Sequence, residues 1–109
     1  MKQIMLGDMR HYLTVQAPQD TDDGIGGVTR VYVAFANVWA AIEPLSGTKI
    51  WQSQQNGHEI SHRITIAYRT DISGDMQLVL GARIFEIRAA FDPDETGRFL
   101  NLDCWEFKP

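Results

Sequence analysis

Residues 58–62 read His58-Glu59-Ile60-Ser61-His62. This is the H-E-x-x-H pattern in which two histidines hold zinc and the glutamate serves as general base of a metalloprotease. That chemistry needs a helix, where residues four apart are neighbours on one face and both imidazoles reach one zinc at about 2.0–2.1 Å. On a strand the same two residues lie about 13 Å apart, at roughly 3.3 Å per residue. Two nitrogens on one tetrahedral zinc must lie within about 3.5 Å of each other. Gly57 before the motif and Ile64-Thr65-Ile66 after it both disfavour a helix. His11 is the one other histidine, so a third ligand has no recognisable place. The motif therefore reads as part of a strand, with His62 in its inner row and His58 at a loop edge. No metal site, cofactor or catalytic residue is assigned.

Other chemistry-bearing groups are weaker. Asp20-Thr21-Asp22-Asp23-Gly24 hints at calcium but lacks the EF-hand spacing and its closing glutamate; it reads as a solvated hairpin tip. Cys104 is the only cysteine, which excludes an intrachain disulfide. It shares a row with Leu100 and Leu102 and reads as a buried small hydrophobe. Trp39, Trp51 and Trp105 with Arg63, Arg69 and Arg88 could form a stacking surface for single strands, as an OB-like nucleic-acid-binding module would. The formal charge of −4 argues against that, because phosphate binding calls for a basic excess. The balance still allows a protein that DNA slides past.

The elements that hold these residues have mostly period two, the strand period. The length of 109 residues fits one domain, 1–109, with one core. No apolar run is long enough to span a bilayer, and the start, MKQIMLGDMRH, lacks the apolar stretch of a signal peptide, so a cytosolic chain is expected. His11, Leu13 and Val15 share one face of a first strand. PQDTDDGIGG is a hairpin tip, and Val28–Val33 returns from it. In Ala34–Glu43, Ala36, Val38, Ala40 and Ile42 line one face and Phe35, Asn37 and Trp39 the other, so neither face is expected to be freely solvated. Pro44 ends that strand. Residues 45–57 break the pattern and read as a long loop, with Ser46 able to cap one helical turn. HEISHRITIAYR reads as a long strand, with Ile60, His62, Ile64, Ile66 and Tyr68 in one row. Met76–Leu80 and Arg83–Phe91 flank a type II′ turn at Gly81-Ala82, with Phe85, Ile87, Ala89 and Phe91 aligned. DPDETG is a turn, and Phe99–Phe107 is the last strand. The fold class is all-β: a small antiparallel β-barrel or sandwich with long hairpin loops and room for one short helical turn.

The order of segments adds to this. GDMRHYLTVQ, a Gly-rich hairpin, VWAAIEPLSGTKIWQSQQ, SHRITIAYR, GARIFEIRAAFDPDE and LNLDC follow one another from Gly7 to Cys104. In this order they resemble the head–tail joining family of tailed bacteriophages, also called head–tail adaptors or head-closure (stopper) proteins. The family often has an arginine in the strand position that Ala67 fills here. The resemblance implies a non-enzymatic barrel-like subunit of the virion, assembled in the bacterial cytoplasm. It implies a ring, twelve-membered in relatives, beneath the portal and its adaptor, which retains packaged double-stranded DNA and docks the tail. It further implies a channel loop between the Pro44-ended strand and the His62 strand: Thr48, Lys49, Ile50, Trp51, Gln52, Ser53, Gln54, Gln55, Asn56 and Gly57. The hairpin of Asp20, Thr21, Asp22, Asp23, Gly24, Ile25, Gly26 and Gly27 is the candidate contact to a neighbouring subunit or the portal-side ring.

Overall fold

The computed structural model describes residues 8–48, 50 and 59–107. Six antiparallel strands, β1 (His11–Asp22), β2 (Val28–Pro44), β3 (His62–Ala67), β4 (Gln77–Leu80), β5 (Arg83–Phe91) and β6 (Phe99–Phe107), close into a barrel in the order β1-β2-β3-β6-β5-β4. Closure comes from Thr14–Gln16 of β1 pairing with Gln77–Val79 of β4. The expected strands are all present, and the barrel is the form they take. The expected helical turn is there too: Gly47, Thr48 and Ile50 are helical, and the Ile50 N–H donates to the Ser46 carbonyl at 3.0 Å.

Period two explains the interior. Leu13 and Val15 of β1, Val38 and Ala40 of β2, Ile64 and Ile66 of β3, Leu78 of β4, Phe85 and Ile87 of β5, and Leu100, Leu102 and Cys104 of β6 form one buried cluster. A barrel this narrow is filled by its own side chains, and each large one contributes about 1.5–3 kcal/mol on burial. Cys104 sits where its alternation with Leu100 and Leu102 puts it, and burial, with a smaller part from the Asp103 charge, pushes its thiol pKa well above the usual range. Gly81 has φ +60°, as the first central position of a type II′ turn requires.

Three expectations need correction. The row Phe85, Ile87, Ala89, Phe91 is broken by a bulge: Ile87 pairs with Cys104 and Ala89 with Asp103, which leaves Arg88 as the extra residue. Phe91 is thereby turned to the outer face, where the Arg63 guanidinium lies 5.4 Å from its ring centroid. The strand over HEISHRITIAYR is shorter than expected. Glu59–Ser61 precede β3 without strand structure, and Tyr68 follows it. The outer face of Ala34–Glu43 is solvated at Trp39, 57% exposed, and at Phe35, while Ala41 farther along is buried. A closed barrel has one interior, and the described residues leave its outside open at Trp39.

Candidate functional site

The longest departure from the barrel is the β1–β2 hairpin. β2 has a barrel neighbour on its far side only at Ala40–Pro44, and β1 only at Thr14–Gln16. From Ala17 to Ala34 the two strands therefore run as a free ribbon, which draws the molecule out to 51 Å against 30 and 27 Å across. A bulge marks its root: Val15 pairs with Ala36 and Gln16 with Ala34, so Phe35 is extra. The bulge reverses the parity of β2. Beyond it, Val33 and Val31 pair with Ala17 and Gln19 and lie on the side that faces the core lower down. Both valines are exposed, as are Val28 and Tyr32.

The ribbon is stitched across its other face. Tyr12 and Trp39 are cross-strand partners with ring centroids 4.8 Å apart. Thr14 Oγ1 donates to Asn37 Oδ1 at 2.9 Å, and Arg30 Nε to Asp20 Oδ1 at 2.9 Å. That hydrogen bond from Arg30 holds the Asp20 carboxyl below its ordinary pKa. The tip is ordered by its aspartates. Asp22 accepts the Gly24 N–H at 2.9 Å, and Asp23 accepts those of Ile25 and Gly27 at 2.9 and 3.0 Å. Gly24 and Gly26 have φ of +83° and +85°, a region open to glycine at no steric cost. The expected contact segment, Asp20–Gly27, is thus the far end of the ribbon, and Ile25 stands 88% exposed at its crest. The sequence reading missed the apolar arm behind it. The signal was available: Val31 and Val33 at odd positions and the row Ala36, Val38 and Ala40 at even positions are out of phase by one residue, which is the mark of a bulge.

The antiparallel order places two turns at the same end of the barrel as the ribbon. The β3–β4 turn, residues 68–76, carries Asp71 and Asp75; the β5–β6 turn, residues 92–98, carries Asp92, Asp94 and Glu95. Arg69 pairs with Asp71 at 2.7 Å, and its hydrogen bonds hold the Asp71 carboxyl below its ordinary pKa.

At the opposite mouth of the barrel, Arg83 donates to Glu106 through Nε at 2.7 Å and Nη2 at 3.1 Å. His62 Nε2 lies 3.7 Å from the same carboxylate, and its ring meets Phe85 edge-on at 5.3 Å. Ser61 Oγ accepts the Glu106 N–H at 2.8 Å and lies 2.9 Å from His62 Nδ1. Ser, His and Glu are the residue types of a hydrolytic triad, but here the hydroxyl binds backbone and the set closes the barrel over Phe85. A cavity of about 720 Å³ opens beside it, lined by residues that include Pro44, Leu45, Ile50, Trp105 and Phe107.

The expected channel loop joins the barrel at this mouth, where the Leu45 N–H donates to the Ser61 carbonyl at 2.9 Å. Thr48 and Ile50 belong to its helical turn; Lys49 and Trp51–Gly57 lie outside the described residues. So does His58, while His62 opens β3, which places the last residue of H-E-x-x-H on a strand. Among the described residues no three His, Cys, Asp or Glu side chains group as metal ligands. Among the described residues the stacking platform is not assembled. Trp39 lies on the outer face beside Tyr12 and Trp105 at the far mouth, and Trp51 is outside the described residues. Arg63, Arg69 and Arg88 pair with Asp103, Asp71 and Glu86 at 2.8, 2.7 and 3.1 Å.

Two solved structures share this fold. Protein SF1141 of Shigella flexneri 2a aligns with a TM-score of 0.74 at 23% identity, covering 94% of this chain and 96% of its own. A chain from the virion of a native gene transfer agent particle aligns with a TM-score of 0.61 at 19% identity, covering 87% of this chain and 91% of its own. No curated protein matches the chain. Residues 4–106 match the phage head completion proteins, nearly the whole chain. The chain belongs to the phage head completion protein family, structural proteins of the virion.

Proposed function

We propose that this protein, acting as one domain over residues 1–109, is a ring-forming subunit of the head–tail connector, or neck. It sits beneath the portal and its adaptor, closes the DNA channel after packaging and docks the tail. Its work is structural and involves no catalysis. The ring is proposed to be twelve-membered and to assemble in the bacterial cytoplasm. Residues 48–57 serve as the channel loop, which stops DNA sterically and lets it pass when the loops move. The observation that carries this reading is the free ribbon on a head completion barrel. A two-stranded ribbon is marginal in water by itself, and this one exposes Ile25, Val28, Val31 and Val33. Such a surface suits a chain that completes its packing only inside an assembly. The shared fold with a gene transfer agent virion chain is in keeping with it.

The alternative, an OB-like single-strand-binding module, is weakened by arginines that are already matched to carboxylates. Absence of oligonucleotide binding at low salt dismisses it. The test of the main reading is electron microscopy of particles made when this gene alone is deleted from its phage or prophage. Free tails beside heads that packaged and then leaked DNA are expected. Normal infectious particles would rule out an essential neck role.

A further inference from the structure

The hairpin end of the barrel is acidic. It gathers three carboxylates of the ribbon, two of the 68–76 turn and three of the 92–98 turn, against Arg30, Arg69 and Arg98. These eight acids and three bases come to −5. The 68–76 turn approaches the ribbon itself: Arg30 is near enough to Asp75 for their charges to attract. Within this acidic end stand the exposed Ile25 and the valine row of β2. The tip that presents Ile25 is already ordered by Asp22 and Asp23, so less conformational freedom is lost when it docks.

Three occupants compete for this surface. A closed ring sets identical copies side by side under one rotation, which brings −5 ends next to one another; like charge opposes that contact. DNA phosphates are repelled for the same reason. A basic protein surface is attracted. We propose that the hairpin end docks a protein of different sequence, whose lysines and arginines surround an apolar groove that takes Ile25 and the Val31–Val33 row. The inference rests on the head-completion reading. It chooses between the two contacts open to the hairpin: a different ring rather than a neighbouring copy.

The test uses heads purified from a lysate of the phage lacking this gene, mixed with the purified full-length protein and scored by co-sedimentation at low and high salt. Two variants accompany it, D22N/D94N/E95Q and I25S. All the changed side chains are exposed, so both variants are expected to melt with the wild type. Wild-type binding should weaken as salt rises. The triple variant should bind about tenfold or more weakly at low salt and converge on wild type at high salt, because rim charges act mainly through screened attraction. I25S should bind more weakly at both. Salt-independent binding, or a triple variant that binds as wild type does, overturns the proposal and leaves the neck role standing. So does sedimentation of the free protein as an oligomer that I25S abolishes, which would give the surface to a second copy. Heads that take up no wild-type protein sink the head-completion reading, and this proposal with it.

Discussion

Glu106 accepts two hydrogen bonds from Arg83 and lies 3.7 Å from His62, while its own N–H is held by Ser61 Oγ. Its side chain is 10% exposed, so it ties three strands at a site water barely reaches. Glu106→Ala leaves the guanidinium and the imidazole over Phe85 without this carboxylate. Removing one partner of a buried pair costs 3–5 kcal/mol. Arg83 is 43% exposed, and water screens and solvates it, so a loss of about 1–3 kcal/mol is expected in urea unfolding. Arg83→Met should cost more, because it leaves the buried Glu106 carboxylate without its guanidinium, while the more exposed Arg83 finds water when Glu106 is removed. Equal or smaller losses from Arg83→Met would show that Glu106 does not depend on the guanidinium. The pair Asp20–Arg30 behaves differently. Its carboxyl has a folded pKa below the ordinary 3.8 because Arg30 hydrogen-bonds it. A depressed carboxylate pKa adds stability above the unfolded value, and that is lost as pH falls through the folded one. Both groups are exposed, so the effect is local. Amide signals beside Asp20 and Arg30 should therefore hold steady down to the ordinary carboxylate range and shift below it, ahead of global unfolding. Signals there that move first near pH 6 would contradict the assignment.

The ribbon and the barrel are separable elements. All the core residues lie at or below the bulge: Val15 is the last buried position of β1, and Val38 the first of β2. Replacing Pro18–Tyr32 with an Asn-Gly turn between the paired residues Ala17 and Val33 keeps the β1–β4 closure and every core side chain. Surface changes away from the core are usually within about 0.5 kcal/mol, so the trimmed chain should melt within a few degrees of wild type while failing to join heads. A trimmed chain that is unfolded by circular dichroism would show the ribbon to be part of the folding unit. This division also marks how far the sequence could be read. Alternation such as Ile64-x-Ile66 and Leu100-x-Leu102-x-Cys104 names its own buried face, and Gly81 names its own turn, because both signals are local. The bulge at Arg88 was not evident, since one inserted residue keeps the strand and changes only its phase, whereas the one at Phe35 left a readable phase change between Val31-x-Val33 and Ala36-x-Val38-x-Ala40. Apolar residues on both faces of Ala34–Glu43 implied that neither is freely solvated. The pattern reports that apolar residues want covering; it does not say what covers them. The hairpin tip was legible from its Asp, Gly and Pro content, whereas the acidic end was not, because the 68–76 and 92–98 turns come to the same end as the hairpin only when the strands pair antiparallel.

Across the whole molecule, antiparallel order sends each connection to one end or the other. The β1–β2, β3–β4 and β5–β6 connections share the ribbon end, while β2–β3 and β4–β5 lie at the Glu106 mouth. Docking and channel closure, as proposed, thereby fall to opposite ends of one rigid barrel. Sites this far apart with no shared partners act almost independently. Deleting Gln52–Asn56 should therefore leave attachment to heads intact and release packaged DNA, seen as empty heads that still carry the protein. Trimming the ribbon should empty the heads by a different route, with the protein absent from them. Quantifying this chain in gradient-purified heads separates the two outcomes. If the deletion of Gln52–Asn56 gives heads that are full and infectious, residues 48–57 do not close the channel, and retention must come from the ring itself or from what docks on it. If it gives heads without the protein, the Glu106 mouth takes part in attachment, and the two ends are not independent.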